Sequence, residues 1–196
     1  MRKTVLAIAL RATGSRRAAV GRIVVAAALG AAGLVAAAAQ EPPGGRRGTG
    51  LPVPRYVSLK TDRVNLREGP SKDHRTAWVF QRAGLPVEIV AEYETWRRIR
   101  DSEGTEGWVL HSLLSGRRTA LVMPWVKDPA ASIPLLDRAE ERGETLARLE
   151  PGVIAHVKDC TGAWCRVVIV RDGSPDVDGF IRQDRLWGVY PNERVE

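Results

Sequence analysis

The sequence is short of the residues that usually carry chemistry. Its 196 residues include two cysteines, three histidines and two methionines. No Cys-x-x-Cys pair occurs, because four residues separate Cys160 from Cys165; catalytic thiol pairs use the closer spacing, with the first thiol activated at a helix N-terminus. His156, Cys160 and Cys165 form His-x3-Cys-x4-Cys, three ligands where a structural zinc site takes four, and no fourth stands nearby. His74 and His111 are isolated. There is no glycine-rich phosphate loop or nucleotide motif. These gaps argue against an enzyme and against a metal or other cofactor, so no catalytic residue is expected.

Acid is lacking in one place. Residues 1–39 contain Arg2, Lys3, Arg11, Arg16, Arg17 and Arg22 but no Asp or Glu. Thirty basic residues less these six leave 24 against 23 acidic, so the formal charge of +7 belongs mainly to this leader. A near-neutral remainder lacks the basic footprint that nucleic-acid binding requires. The uncharged run IVVAAALGAAGLVAAAAQ follows Arg22 and contains Ala37-Ala38-Ala39. The reading is a signal peptide over 1–39, cleaved before Gln40, in a protein exported to the periplasm. The alternative is a membrane anchor over 18–39, since about 17–25 apolar residues span a bilayer. No cysteine stands at the cleavage point for a lipid. Outside the cytosol the two cysteines are expected to be oxidised.

Helix is also scarce. LLDRAEERGETLARLE (135–150) has a helical charge pattern, but Gly143 interrupts it and repeat alignment makes it loop plus strand. QEPPGGRRGTGLPVP (40–54) is Pro/Gly-rich and reads as a disordered linker. Beyond it short β runs alternate with turn residues. PVEIVAEY (86–93) has period two, and WRRIR (96–100) follows the turn at Glu94-Thr95. DSEGTEG (101–107) is a polar hairpin connection, and WVL returns as a strand. The second half repeats the plan. PGVIAHVKD (151–159) matches LPVEIVAEY, WCRVVIV (164–170) matches WRRIR, and Gly179-Phe180-Ile181 echoes Gly107-Trp108-Val109. HSLL (111–114) parallels QDRL (183–186). Two related β units are expected.

RVNLREGPS (63–71), WRRI and GWV resemble three blocks of the bacterial SH3-like domain: Asn65-Leu66-Arg67-Glu68-Gly69-Pro70, then Trp96-Arg97-Arg98-Ile99, then Gly107-Trp108-Val109. The second unit departs at its opening, where SIPLL (132–136) replaces Asn-Leu-Arg. Its ending LWGVYPNE (186–193) is similar to that of exported tandem SH3-like proteins. The resemblance covers about residues 56–191 and implies an all-β chain of two tandem SH3-like small β-barrels after an N-terminal signal segment. The expected divisions are barrel 1 over 55–116, barrel 2 over 117–191, and a tail over 192–196. The resemblance also implies a non-catalytic binding role toward a cell-wall polymer, peptide or glycan. The alternatives are an envelope scaffold that binds another protein by the inter-barrel groove or a sheet edge, and a thiol-dependent enzyme. The motif residues Asn65, Arg67, Gly69, Pro70, Gly107, Trp108, Gly179, Phe180 and Trp187 read as folding residues. Gly69-Pro70 is a turn pair, Asn65 suits bonding to loop backbone, and Gly107 and Gly179 suit close backbone approach or positive φ.

Two readings bear on a site. Cys160 and Cys165 flank the turn at Thr161-Gly162, and facing residues of an antiparallel pair are close enough for a disulfide, so a structural staple is expected. Six tryptophans (Trp78, Trp96, Trp108, Trp125, Trp164, Trp187) are many for this length. By strand parity Trp96 shares a face with Arg98 and Arg100 opposite Ile99, and Trp164 shares one with Arg166 opposite Cys165. Outward Trp beside Arg suits peptide, glycan or carboxylate recognition; the competing reading is that each Trp covers a small core.

Overall fold

The computed structural model describes residues 48–195. The segment read as signal or anchor, and residues 40–47 of the expected linker, lie outside the described residues. The described chain forms two β-sheets within one compact unit. The first holds β1 (Arg55–Leu59), β2 (Val64–Arg67), β3 (Thr76–Phe80), β4 (Pro86–Tyr93), β5 (Trp96–Arg100), β6 (Glu106–Leu110) and β7 (Leu114–Ser115). The second holds β8 (Thr119–Val122), β9 (Ile133–Leu136), β10 (Thr145–Leu149), β11 (Ile154–Thr161), β12 (Trp164–Arg171), β13 (Ser174–Arg182), β14 (Leu186–Trp187) and β15 (Arg194–Val195). The first sheet is ordered β3-β2-β6-β5-β4-β1-β7 and the second β10-β9-β13-β12-β11-β8-β14. The two orders are the same permutation, so the repeat legible in the sequence is a repeat of topology. Each unit ends in a short 3-10 turn, His111–Leu113 and Gln183–Arg185.

Period-two patterning explains where the cores lie, because alternate side chains point to one face. Val64 and Leu66, Val87 and Ile89, Ile99 and Val109 fill the first core. Leu135, Ala155 and Val157, Cys165, Val167 and Ile169, and Ile181 fill the second. LLDRAEERGETLARLE is the loop plus strand that the repeat alignment predicts, with its first two residues closing the preceding strand. The expectation of barrels is corrected in one respect: among the described residues no pairing joins β3 to β7 or β10 to β14, so neither sheet closes. The strands that could close them, β7 and β14, are two residues long and are used on β1 and β8.

The segment expected to be a disordered linker and the segment expected to be a tail are both held. In the linker, the Thr49 amide and hydroxyl donate to the Glu92 carboxylate. Glu92 also receives Arg55 at 2.5 Å and the Arg97 guanidinium at 3.1 Å. The Glu92 and Arg97 side chains are only 8% and 5% exposed, which makes this a nearly dry ion pair. At the other end, Arg194–Val195 pair with β11, and Glu193 takes Arg118 at 2.9 Å and the Tyr190 amide at 2.7 Å. The expected tail is therefore a strap. Just before it, Tyr190 reaches the first sheet, where its hydroxyl donates to Glu88 at 2.8 Å and its ring lies 4.7 Å from Tyr56. Trp187 meets Tyr56 edge-on at 5.2 Å, and the Thr119 hydroxyl donates to the Gly84 carbonyl. The two units thus share a packed, hydrogen-bonded junction. Burial pushes the phenols of Tyr56 and Tyr190 up, and the neighbouring Glu88 adds to this.

Cys160 and Cys165 are register partners on β11 and β12, with Cα atoms 4.1 Å apart, and they form a disulfide in the second core. The staple reading is met. Replacing both with alanine is expected to lower stability by about 2 kcal/mol, the chain-entropy value for so short a loop. Urea denaturation would check this: the wild type in reductant should fall toward the variant, and a variant as stable as oxidised wild type would refute it.

Candidate functional site

The groove of each unit is built by the same three pieces: the outer face of β2 or β9, the Trp that opens β5 or β12, and the residues around the following 3-10 turn. Two glycines bring the pieces together. A Cβ on Gly107 would lie 2.6 Å from the Leu66 side chain and 2.9 Å from the Arg67 carbonyl oxygen. One on Gly179 would lie 2.8 Å from Leu135 and 2.7 Å from the Leu136 oxygen. Of the two reasons offered for these glycines, close approach holds; neither has positive φ. The matching contacts align β2 with β9 residue by residue. Arg63, Asn65 and Arg67 then correspond to Ser132, Pro134 and Leu136, and Leu110 and Leu113 to Arg182 and Arg185.

In the first unit Trp96 sits with Arg63, Asn65, Arg67, Lys72, Leu110 and Leu113 around a groove of about 260 Å³. Its cations are matched by no lining acid. The expectation that Trp96 is an open outer residue beside Arg98 is corrected: Trp96 is 7% exposed. Parity chose its face correctly, but groove residues cover it. Arg98 pairs with Glu106 at 2.8 Å and Arg100 with Glu88 at 2.5 Å, so neither guanidinium lines the groove. Arg67 donates to the Lys72 and His74 carbonyls and ties the 68–75 loop down. Asn65, expected to hold loop backbone, is exposed on β2 and lines the groove instead; Arg67 holds the loop. Gly69 is buried against the His74 ring, and Pro70 continues the turn.

In the second unit the groove is about 390 Å³, within the range of small-ligand sites. It is lined by Trp164, Arg182, Arg185, Glu141 and the apolar Met123, Ile133, Pro134 and Leu136, with Ser132 at its edge. Leu136 stands where Arg67 clasps the first loop and has no donor to do so. Trp164 is half-buried, and the Arg182 guanidinium lies 5.7 Å from its ring centroid, a cation–π contact. The expected partner was Arg166. It is instead spent on Asp178 through two bonds of 2.8 and 2.9 Å, and Asp178 pushes its pKa up. Arg182 is the register partner of Trp164 across β12 and β13, a neighbour that strand parity within β12 does not reveal.

The remaining motif residues are scaffold. Trp108 and Phe180 are half-buried and hold equivalent places, opposite Arg67 and Leu136. Trp187 belongs to the junction. The open tryptophans are Trp78 at 58% and Trp125 at 51% exposure, which β propensity alone does not distinguish from the others. Burial and the cations Arg117 and Lys158 push His156 down, and with both thiols in the disulfide the His-Cys-Cys spacing keeps no thiolate ligand. Among the described residues no cluster of three or more His, Cys, Asp or Glu is arranged to hold a metal. No described helix is long and apolar enough to cross a membrane.

A family profile for the bacterial SH3 domain matches the chain twice, over residues 60–116 and 130–188. No curated protein matches. Among solved structures, NlpC1 from Trichomonas vaginalis matches at 12% identity over 71% of this chain and 47% of that one, with a TM-score of 0.30. NlpC2 from the same organism matches at 12% identity over 68% and 48%, also with a TM-score of 0.30. The chain spans about half the length of these two proteins.

Proposed function

Since the chain belongs to the bacterial SH3 domain family and carries the domain twice, we propose that it is a non-catalytic envelope module that holds cell-wall peptide or glycan in its two tryptophan-containing grooves. The observation that supports this is the recurrence of one groove at the same place in both units, with an aromatic residue and cations at each. Two sites on one chain raise avidity by about 10²–10⁴ when both engage the same polymer, which suits a repetitive wall. Export is part of the proposal: the basic, acid-free leader is read as a signal, and a disulfide persists in an oxidising compartment.

Co-sedimentation with purified murein sacculi tests it. Wild type should pellet, and Trp164→Ala should weaken binding by about tenfold or more, as loss of an aromatic anchor does. Trp96 is too deeply covered for a clean surface test. A wild-type protein that stays in the supernatant would sink the proposal. A second reading, an envelope scaffold, is favoured by Trp78, which stands 58% exposed on β3, an outer strand of its sheet. Crosslinking in cells that recovers one defined protein, and loses it on Trp78→Ala, would favour that reading.

A further inference from the structure

The two grooves share a frame but not their chemistry. Where the second has Arg182 and Arg185, the first has Leu110 and Leu113. Several arginines are already spent. Arg166 is bound bidentately to Asp178, Arg100 donates twice to Glu88, and Arg118 donates to both Glu193 oxygens. Arg182, by contrast, makes only long contacts, 3.3 Å to Glu141 and 3.5 Å to Asp184, whose side chains are 81% and 57% exposed. Arg185 reaches Asp184 at 3.7 Å and is itself 51% exposed. Such solvent-exposed pairs are weak because water and salt screen them, so a better acceptor displaces them at little cost. Two guanidinium groups are thus present at one groove with donors to spare, and one already lies over Trp164. The Met123, Ile133, Pro134 and Leu136 walls offer an apolar surface beside them.

We infer that the second groove binds the free carboxylate end of a peptide, with Arg182 and Arg185 as the carboxylate donors and the apolar walls taking its terminal side chain. This rests on the wall-binding reading above and names what the site reads. Guanidinium and carboxylate form the charge-assisted, planar pair that a neutral amide cannot. Glu141 is then a built-in competitor: its carboxylate holds Arg182 when the groove is empty and must yield when a ligand enters.

The test uses two probes on the whole chain, N-acetyl-alanyl-alanine as the free acid and as its C-terminal amide, followed by the NMR shift of the indole N–H resonance that disappears on Trp164→Phe. The acid should bind about tenfold or more tighter than the amide, the factor for one hydrogen bond to a charged group. Arg182→Gln alone should reduce that preference, Arg182→Gln combined with Arg185→Gln should erase it, and Glu141→Gln should tighten the acid several-fold. All three side chains are exposed, and unchanged urea midpoints would show that the fold is intact. Acid and amide bound equally, no binding of the acid at millimolar concentration, or a preference that survives the double replacement would each overturn the inference. None of these would disturb sacculus binding by wild type, whose absence is what defeats the wider proposal.

Discussion

Glu92→Ala should cost about 3–5 kcal/mol, a large part of a small domain's stability. The reason is what it leaves behind. Arg97 is 4% exposed overall and its guanidinium cannot turn to water. With Glu92 gone it keeps the Glu94 and Trp96 carbonyls but has no counter-charge. Arg55 and Thr49 lose the same acceptor, so the 48–54 segment should come free with it. Urea denaturation would read the loss, and limited proteolysis would read the freed segment. Combining Glu92→Ala with Arg97→Leu should recover part of the loss, because removing both charges removes the stranded one. A single variant within about 0.5 kcal/mol of wild type, the range of ordinary surface changes, would show that Arg97 is not held as described.

The same pair has a pH signature. Burial pushes the Glu92 carboxyl up, but the bonds from Arg55 and Thr49 and the charge of Arg97 outweigh it, and the net shift is below its ordinary 4.5. A carboxylate depressed on folding contributes stability above its unfolded value, and that contribution is lost as pH falls through the folded one. Wild type should therefore lose stability below about pH 4.5 more steeply than Glu92→Ala does. Glu193, held down by Arg118 and the Tyr190 amide against the upward push of burial, works in the same direction at the strap.

Gly179→Val should cost about 3 kcal/mol, the upper end for an over-packed core. Its first added carbon meets both the Leu136 carbonyl and the Leu135 side chain below 3 Å, and a carbonyl within a strand cannot swing aside. The only relief is for β9 to move away from β13. That movement also carries Pro134 and Leu136 off Trp164 and Arg182, so the groove should open as stability falls. A lowered urea midpoint together with a red-shifted tryptophan emission would show both, and Gly107→Val should repeat the stability loss in the first unit. An unshifted midpoint would mean that the strands do not meet as tightly as described. The glycine is thus one residue on which fold and site both depend.

Much of this molecule was legible one segment at a time. Alternation in PVEIVAEY and IAHVKDC announced strands because burial on one face is a local property with period two. The doubled blocks announced two like units because the same order of strands needs the same order of patterns. The disulfide followed from two cysteines on facing arms of one turn. Two other features escaped because they depend on partners distant in sequence. The 48–54 segment reads as loose linker and residues 192–195 as a bare tail because their anchors, Glu92 and Arg118 with β11, lie elsewhere in the chain.

The tryptophans mark the boundary most clearly. Parity placed Trp96 and Trp164 on the outer faces of their strands, and that much the sequence by itself determined, since side chains must alternate. Whether an outer face meets solvent is set by what crosses it. Arg67 clasps a loop at the first groove and Leu136 cannot at the second, so equivalent residues end with different exposure. Which cation meets Trp164 was likewise decided across the sheet, by the pairing of β12 with β13, and it is Arg182 rather than the in-strand neighbour Arg166. The sequence determined strands, repeat and staple; only tertiary pairing decided which aromatic surface is open and which guanidinium stands over it.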